Sequence, residues 1–145
     1  MYKKLPAFFL LGSIALFILS LTQDCYYVKY VRSYTPRAWG LGFDLLLMGW
    51  LGLIYGYFTW LANPMLLLSW IAFFRRNYPL SLLASVGSIL VILSFLLYDK
   101  IVTSEAPNYS LITGYGSGYW LWVASAGCSI AANIFVKISP PDRAE

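Results

Sequence analysis

Apolar residues run in four long stretches, 5–22 (LPAFFLLGSIALFILSLT), 43–74, 79–98 and 118–136, and the polar residues collect between them. None of the four alternates polar with apolar positions, so none reads as a half-buried strand or as the wall of a β-barrel. A helix needs about 18–20 apolar residues to cross roughly 30 Å of hydrocarbon. In lipid, only helices and closed barrels satisfy their own backbone hydrogen bonds. The pattern predicts an all-α polytopic membrane protein, with four transmembrane helices in one domain over residues 1–145. The first run follows Lys3-Lys4 like a secretory signal, but no small-x-small cleavage site comes after it, so it is expected to stay as an uncleaved span.

The second run is too long for one straight crossing, since its 43–74 extent would measure ~48 Å as a helix. It contains an Asn63-Pro64 pair within TWLANPMLLLSW. Proline lacks the amide donor and clashes with the carbonyl four residues back, which kinks or ends a helix. Asn before Pro also suits the start of a new helix. The 12 or so residues from Pro64 to Arg75-Arg76 give only ~18 Å, too little to span alone. The expectation is one long second helix kinked at Asn63 and Pro64, its outer half projecting from the membrane or lying obliquely near it.

Two outer loops are expected, 23–42 and 99–117. In the first, Tyr26, Tyr30 and Tyr34 recur at helical spacing, which suggests a short surface-lying helix over 24–34 ended by Thr35-Pro36. The second closes with the Gly-rich GYGSG, and RRNYP at 75–79 forms a tight turn on the other side. The SPPDRAE tail over 139–145 reads as irregular. Asp44, at the edge of the second run, is expected to pair with Arg37 or Arg32.

Charge fixes orientation rather than partners. Only 11% of residues are charged and 60% are hydrophobic, against about 25% and 45–50% in soluble domains. With both termini in the cytoplasm, Lys3, Lys4, Arg75, Arg76, Lys137 and Arg143 lie inside, and Lys29, Arg32, Arg37 and Lys100 outside. The net charge of +4 then sits on the face toward anionic lipid. It gives no reason to invoke nucleic acid.

The residue inventory excludes much chemistry. The chain has no histidine, so the commonest general base and the commonest metal ligand are missing. Cys25 and Cys128 fall at different depths and are expected to be free thiols, with no metal cluster or redox pair. No phosphate-binding loop is present, because GYGSG lacks the following Lys-Ser/Thr. No acid or base lies at mid-depth, as coupled transport usually requires. The reading is of a non-enzyme that carries no cofactor.

Packing residues supply the remaining candidates. Gly49, Gly52 and Gly56 fall at i, i+3, i+7, as do Ala124, Gly127 and Ala131; such small faces let helices approach closely in lipid. Ser81, Ser85 and Ser88 on the third run, with Ser125, Ser129 and Asn133 on the fourth, form polar stripes that either stitch helices together or line a pathway. Aromatic residues gather toward the expected outer side: Trp39, Trp50, Tyr55, Tyr57, Trp60, Tyr119, Trp120 and Trp122. Most suit the interfacial belt, whereas Trp60, beside the Asn-Pro pair, could wall a cavity for a lipid tail, a quinone or another apolar ligand.

The strings GWLGLIYGYFTWLANPMLLLSWIAFF and GYWLWVAS resemble small four-helix bacterial inner-membrane proteins of uncharacterised function. These carry W-[LF]-A-N-P and Y-x-L-W-x-A-S elements, matched here by Trp60, Ala62, Asn63, Pro64, Tyr119, Leu121, Trp122, Ala124 and Ser125 over residues 43–136. The resemblance implies the bacterial inner membrane and no particular activity. Together the expectations are an accessory or interaction subunit that binds membrane lipid and other membrane proteins or itself as a homo-oligomer. Alternatives are a small oligomeric channel or transporter with a Ser/Asn-lined pathway, and a membrane immunity or defence protein.

Overall fold

A computed structural model describes residues 4–29, 37–38, 40–102 and 108–138. The chain runs α1 (Leu5–Ser20), β1 (Tyr26–Lys29), β2 (Arg37–Ala38), α2 (Gly42–Met48), α3 (Ala62–Phe74), α4 (Tyr78–Leu93), β3 (Lys100–Val102), β4 (Tyr109–Tyr115) and α5 (Ser117–Ile138). Short 3-10 segments extend α2 (Gly49–Tyr55), precede α3 (Phe58–Leu61) and extend α4 (Ser94–Leu97). Two helices are long and apolar enough to cross a membrane, Tyr78–Leu97 and Ser117–Ile138. Leu5–Ser20, Gly42–Tyr55 and Phe58–Phe74 are apolar but shorter. The chain is thus mostly helical and of a membrane-associated type.

Four helices pack side by side, α1 on α5, α5 on α4 and α4 on α3. Their seams are held by hydroxyl groups. Ser13 Oγ donates to the Ser125 carbonyl (2.7 Å) while Ser125 Oγ donates to the Ser13 carbonyl (2.8 Å). Trp70 Nε1 donates to Ser13 Oγ at 2.9 Å, tying α3 into the same junction. A second hub joins α3, α4 and α5, with Ser69 Oγ 2.8 Å from Ser129 Oγ and Ser81 Oγ donating to the Ser69 carbonyl at 2.9 Å. Small side chains allow this closeness, and the buried hydroxyls find their hydrogen-bond partners on neighbouring helices.

A sheet caps the end of the bundle formed by the close of α1 and α4 and the start of α5. All its pairings are antiparallel, in the order β2-β1-β4-β3. This corrects the all-α expectation and the surface helix over 24–34. Tyr26 and Val28 are buried while Tyr27 and Lys29 are exposed, the two-residue alternation of a strand with one covered face. The segment's amides find partners on β4, whose Ile112 and Thr113 are β-branched. That pairing outweighs the helical spacing of the tyrosines. Below the sheet, Phe95 is ringed by Tyr26, Tyr115 and Tyr119 at 5.2, 5.8 and 5.9 Å between ring centres. This aromatic cluster glues sheet to helices.

The second apolar run also differs from expectation. It is not one helix kinked at Asn63-Pro64; it breaks earlier, at Gly56-Tyr57. Gly56 adopts φ +81°, a left-handed conformation that glycine takes without Cβ strain. Its N–H bonds the Leu53 carbonyl, and that of Tyr57 the Gly52 carbonyl. Asn63 and Pro64 instead fall in the first turn of α3, where amides lack an intrahelical partner and proline is tolerated. At the other end of α3, Arg76 takes a left-handed φ of 58° and Asn77 Oδ1 accepts from Leu80 N–H, so the expected RRNYP turn closes between two helices.

The Arg32 and Arg37 side chains expected to pair with Asp44 lie outside the described residues, as do Tyr30, Tyr34, Trp39 and the SPPDRAE tail. Asp44 Oδ2 accepts the Leu41 N–H at 3.3 Å, a bond that holds the start of α2.

Candidate functional site

The break at Gly56-Tyr57 turns α2 and its 3-10 extension into an arm that lies beside the bundle. Two anchors hold it. Trp60 Nε1 donates to the Leu46 carbonyl at 2.9 Å across the fold-back. At its root, Gly42 N–H and Phe43 N–H donate to the carbonyls of Gln23 and Leu21. Gly42 is required there, because a Cβ would run into the Ser20 carbonyl oxygen. The arm buries none of its large side chains; Phe43, Leu47, Met48 and Ile54 are all at least half exposed.

Between arm, bundle and sheet lies a cavity of about 500 Å³, within the size range of pockets that hold small organic ligands. Aromatic side chains dominate its deep wall: Phe17, Tyr26, Trp60, Phe95, Tyr119 and Trp122. The arm contributes Leu45, Leu46 and Leu51, and the sheet contributes Ile101 and Val102. Among the described residues, none that lines it carries a formal charge.

Most of the polar lining groups are already satisfied. Ser20 Oγ donates to the Phe17 carbonyl and Tyr119 Oη to the Ile92 carbonyl. Two are not: Thr59 Oγ1 and Trp122 Nε1 are buried without a hydrogen-bond partner. Thr59 is only 8% exposed. Such orphans are uncommon in folded proteins and call for a reason. Asn63 adds a half-buried carboxamide to the rim.

Cys25 also lines the cavity, yet its environment makes it inert. Burial, reinforced by the negative charge of Asp24, pushes the thiol up to about 11. Its sulfur lies 3.9 Å from the Gln23 carbonyl. A neutral thiol is neither a good nucleophile nor a metal ligand. Cys25 and Cys128 are both free, and no cluster of metal-ligating side chains occurs among the described residues.

The sequence-derived candidates are distributed unevenly around this site. Trp60 lines the cavity, and Asn63 reaches it while Pro64 is exposed on α3. Gly49 and Gly52 do not form a face for a foreign helix, since their space is taken internally. A Cβ on Gly49 would sit 2.8 Å from Trp60 Cδ1, and one on Gly52 would meet Tyr57 at 3.4 Å. Gly56 is the hinge. Ala124 is exposed, Gly127 has open space beyond it and Ala131 is half-buried, so this stripe is left uncovered.

The hydroxyl stripes turn inward. Ser81, Ser85, Ser88, Ser125, Ser129 and Asn133 are all at most 1% exposed, and none of them lines the cavity. Ser88 donates to the Ala62 carbonyl, Ser85 to the Leu82 carbonyl, and Asn133 Nδ2 to the Ser129 carbonyl. Their arrangement is a packed seam.

Residue reading missed Thr59, Ser13, Ser69 and Trp70. The signal for the serines was available, as lone hydroxyls in otherwise apolar helices. Thr59 carried none, because its role depends on the break at Gly56. Comparison with known protein families, curated proteins and solved structures yields no match for this chain.

Proposed function

We propose that the chain is a four-span, non-enzymatic protein of the bacterial inner membrane that holds an apolar membrane molecule between its arm, bundle and sheet. The observation that carries this reading is the aromatic-walled cavity of about 500 Å³, whose lining carries no charge among the described residues. The four spans are α1, Phe58–Phe74, α4 with its extension, and α5. The shorter ones, at ~24–27 Å, need slight local thinning of the bilayer. Exposed Phe8, Leu83, Ile54 and Leu97, from 69% to 81% accessible, suit contact with lipid. Lys4, Arg75, Arg76 and Lys137 all fall at the end away from the sheet, which fits that end as the cytoplasmic one. Asp24, Asp44 and Asp99 fall at the sheet end.

A second reading has its own observation. The uncovered Ala124, Gly127 and Ala131 stripe fits an accessory subunit that seats a partner helix or a second copy there. The two readings are compatible, with the cavity on one side and the stripe on α5.

Photolabelling tests the first. The full chain is reconstituted with a phospholipid carrying a diazirine on its acyl chain, irradiated and mapped by mass spectrometry. Adducts on Phe95 and Tyr119, which are at most 7% exposed, are expected to form from within the cavity. They should fall sharply in Ile101→Trp, which fills the cavity from the sheet side, while adducts on Leu83 and Leu97 persist. Labelling confined to the outer helix faces in both proteins would overturn the reading.

A further inference from the structure

The basic end of the bundle carries a groove of its own, between α1 and α3. At mid-depth the two helices touch, through the Trp70–Ser13 hydrogen bond and the edge-on contact of Phe17 with Trp70. Nearer the basic end, a groove of about 390 Å³ runs between Ala7, Leu10 and Leu11 of α1 and Phe73 and Phe74 of α3. Leu11 and Phe74 are well exposed, so the groove is open sideways. Arg76 and Tyr78 complete its lining.

Arg76 stands where glycine is usual. It closes α3 in a Schellman turn, with Arg76 N–H on the Phe73 carbonyl and Asn77 N–H on the Ala72 carbonyl. Its φ of 58° is left-handed, a conformation in which a Cβ costs stability. Its side chain is exposed and, among the described residues, makes no hydrogen bond or ion pair. Arg75 beside it is exposed too. Lys4, also exposed, shares the face of α1 that carries Ala7 and Leu11, at i, i+3 and i+7. The described acids, Asp24, Asp44 and Asp99, all fall at the opposite, sheet end.

We infer that this groove binds an anionic phospholipid, one acyl chain lying between α1 and α3 and the phosphate held by Arg76, with Lys4 as a second positive charge. The inference rests on the membrane-spanning reading above and concerns a site separate from the aromatic cavity. Apolar walls alone would accept any lipid chain; the cationic end selects the headgroup. A guanidinium meets a phosphate with two parallel N–H donors. A zwitterionic headgroup brings its own cation to a place that already holds Lys4, Arg75 and Arg76 and no described acid. A net negative lipid is therefore preferred, as in basic pockets between helices on the cytoplasmic side. An acidic protein segment could pair with the arginine, but it would not fill an apolar groove open to the bilayer.

The test places the full chain in phosphatidylcholine nanodiscs with a trace of phosphatidylglycerol bearing a diazirine on one acyl chain. After irradiation, adducts are mapped by mass spectrometry. Adducts are expected on Phe73, half-buried in the groove, and unlabelled phosphatidylglycerol should compete them away. Leu83, exposed on α4, reports bulk lipid and should keep its adducts. Arg76→Gly should cut the Phe73 adducts about fivefold, the effect of one basic residue near an anionic lipid. The same variant should unfold in SDS at an unchanged or higher midpoint, because glycine suits the left-handed turn. Ala7→Trp, which fills the groove from an exposed position, should remove the Phe73 adducts with Arg76 intact. Phe73 adducts that survive both variants, or that a labelled phosphatidylcholine matches in yield, overturn the inference in favour of ordinary annular lipid. A lower unfolding midpoint in Arg76→Gly with adducts unchanged overturns it as well, and leaves Arg76 a helix cap. Loss of adducts from Leu83 and Phe73 alike, in the parent chain, would strike the membrane-spanning reading and the groove with it.

Discussion

Removing the Ser69 hydroxyl decides whether the serine stripes are glue or a passage. Ser69 is fully buried. Its Oγ lies 2.8 Å from Ser129 Oγ on α5 and 3.3 Å from Ser81 Oγ on α4. Ser69→Ala loses both contacts but keeps the Ser81 bond to the residue 69 carbonyl. Interhelical side-chain hydrogen bonds in membrane proteins average about 0.6 kcal/mol and reach roughly 1.7. The Ser129 hydroxyl left behind is dry and adds part of an orphan's penalty, about 1 kcal/mol. Ser69→Ala should therefore cost ~1–2 kcal/mol, read from unfolding in mixed micelles at increasing SDS fraction. The sharper quantity is the coupling in a cycle with Ser129→Ala. Once one hydroxyl is gone, losing the other should cost less by about 0.6–1.7 kcal/mol. Coupling below ~0.3 kcal/mol, the level at which distant sites are simply additive, would refute the hub. So would rapid modification of Ser69→Cys by a charged, water-borne thiol reagent, because a dry seam excludes it.

Other consequences are equally direct. Pro64→Leu should leave the fold intact and shift stability by no more than about 1 kcal/mol, since Pro64 occupies a first-turn position and acts mainly on the unfolded chain; circular dichroism and the same unfolding assay check it. Gly49→Ala places a Cβ 2.8 Å from the Trp60 ring, so the arm or the ring must move. The expected cost is ~1–3 kcal/mol, with loss of the Trp60–Leu46 bond and a shifted tryptophan emission. For Cys25, studied in a Cys128→Ser background, a thiol pKa of about 11 against 9.0 unperturbed predicts alkylation at pH 8 about 100-fold slower than in the denatured chain. The same shift fixes the sign of linkage. The unfolded chain loses this proton first as pH rises, so the Cys25 contribution to stability is full below about pH 9 and is lost between about 9 and 11. A Cys25→Ser variant should lack that part of the decline.

Much of the helical architecture was legible, because long apolar runs admit few other structures. The runs at 5–22, 79–98 and 118–136 became α1, α4 with its extension, and α5 within a few residues. What escaped was set by partners far apart in sequence. YYVK reads as a helix fragment until its amides meet β4, some 80 residues on, and no local periodicity announces that pairing. Asn63-Pro64 drew attention as the obvious helix breaker, yet proline in a first turn breaks nothing. Gly56 looked like a packing glycine at i+7, and its left-handed φ is what splits the run. Trp60 was legible as a cavity wall only in part, since the opposing wall is an arm that exists because of Gly56. Thr59 and Trp122 gain meaning from the same event.

The most direct test of the account is the mass of the intact chain released from a mild detergent after extraction from its native membrane. The account predicts one non-covalently bound apolar molecule per chain, beyond detergent and annular lipid, that is depleted in Ile101→Trp. A bare chain, or a spread of lipids that Ile101→Trp leaves unchanged, would contradict it.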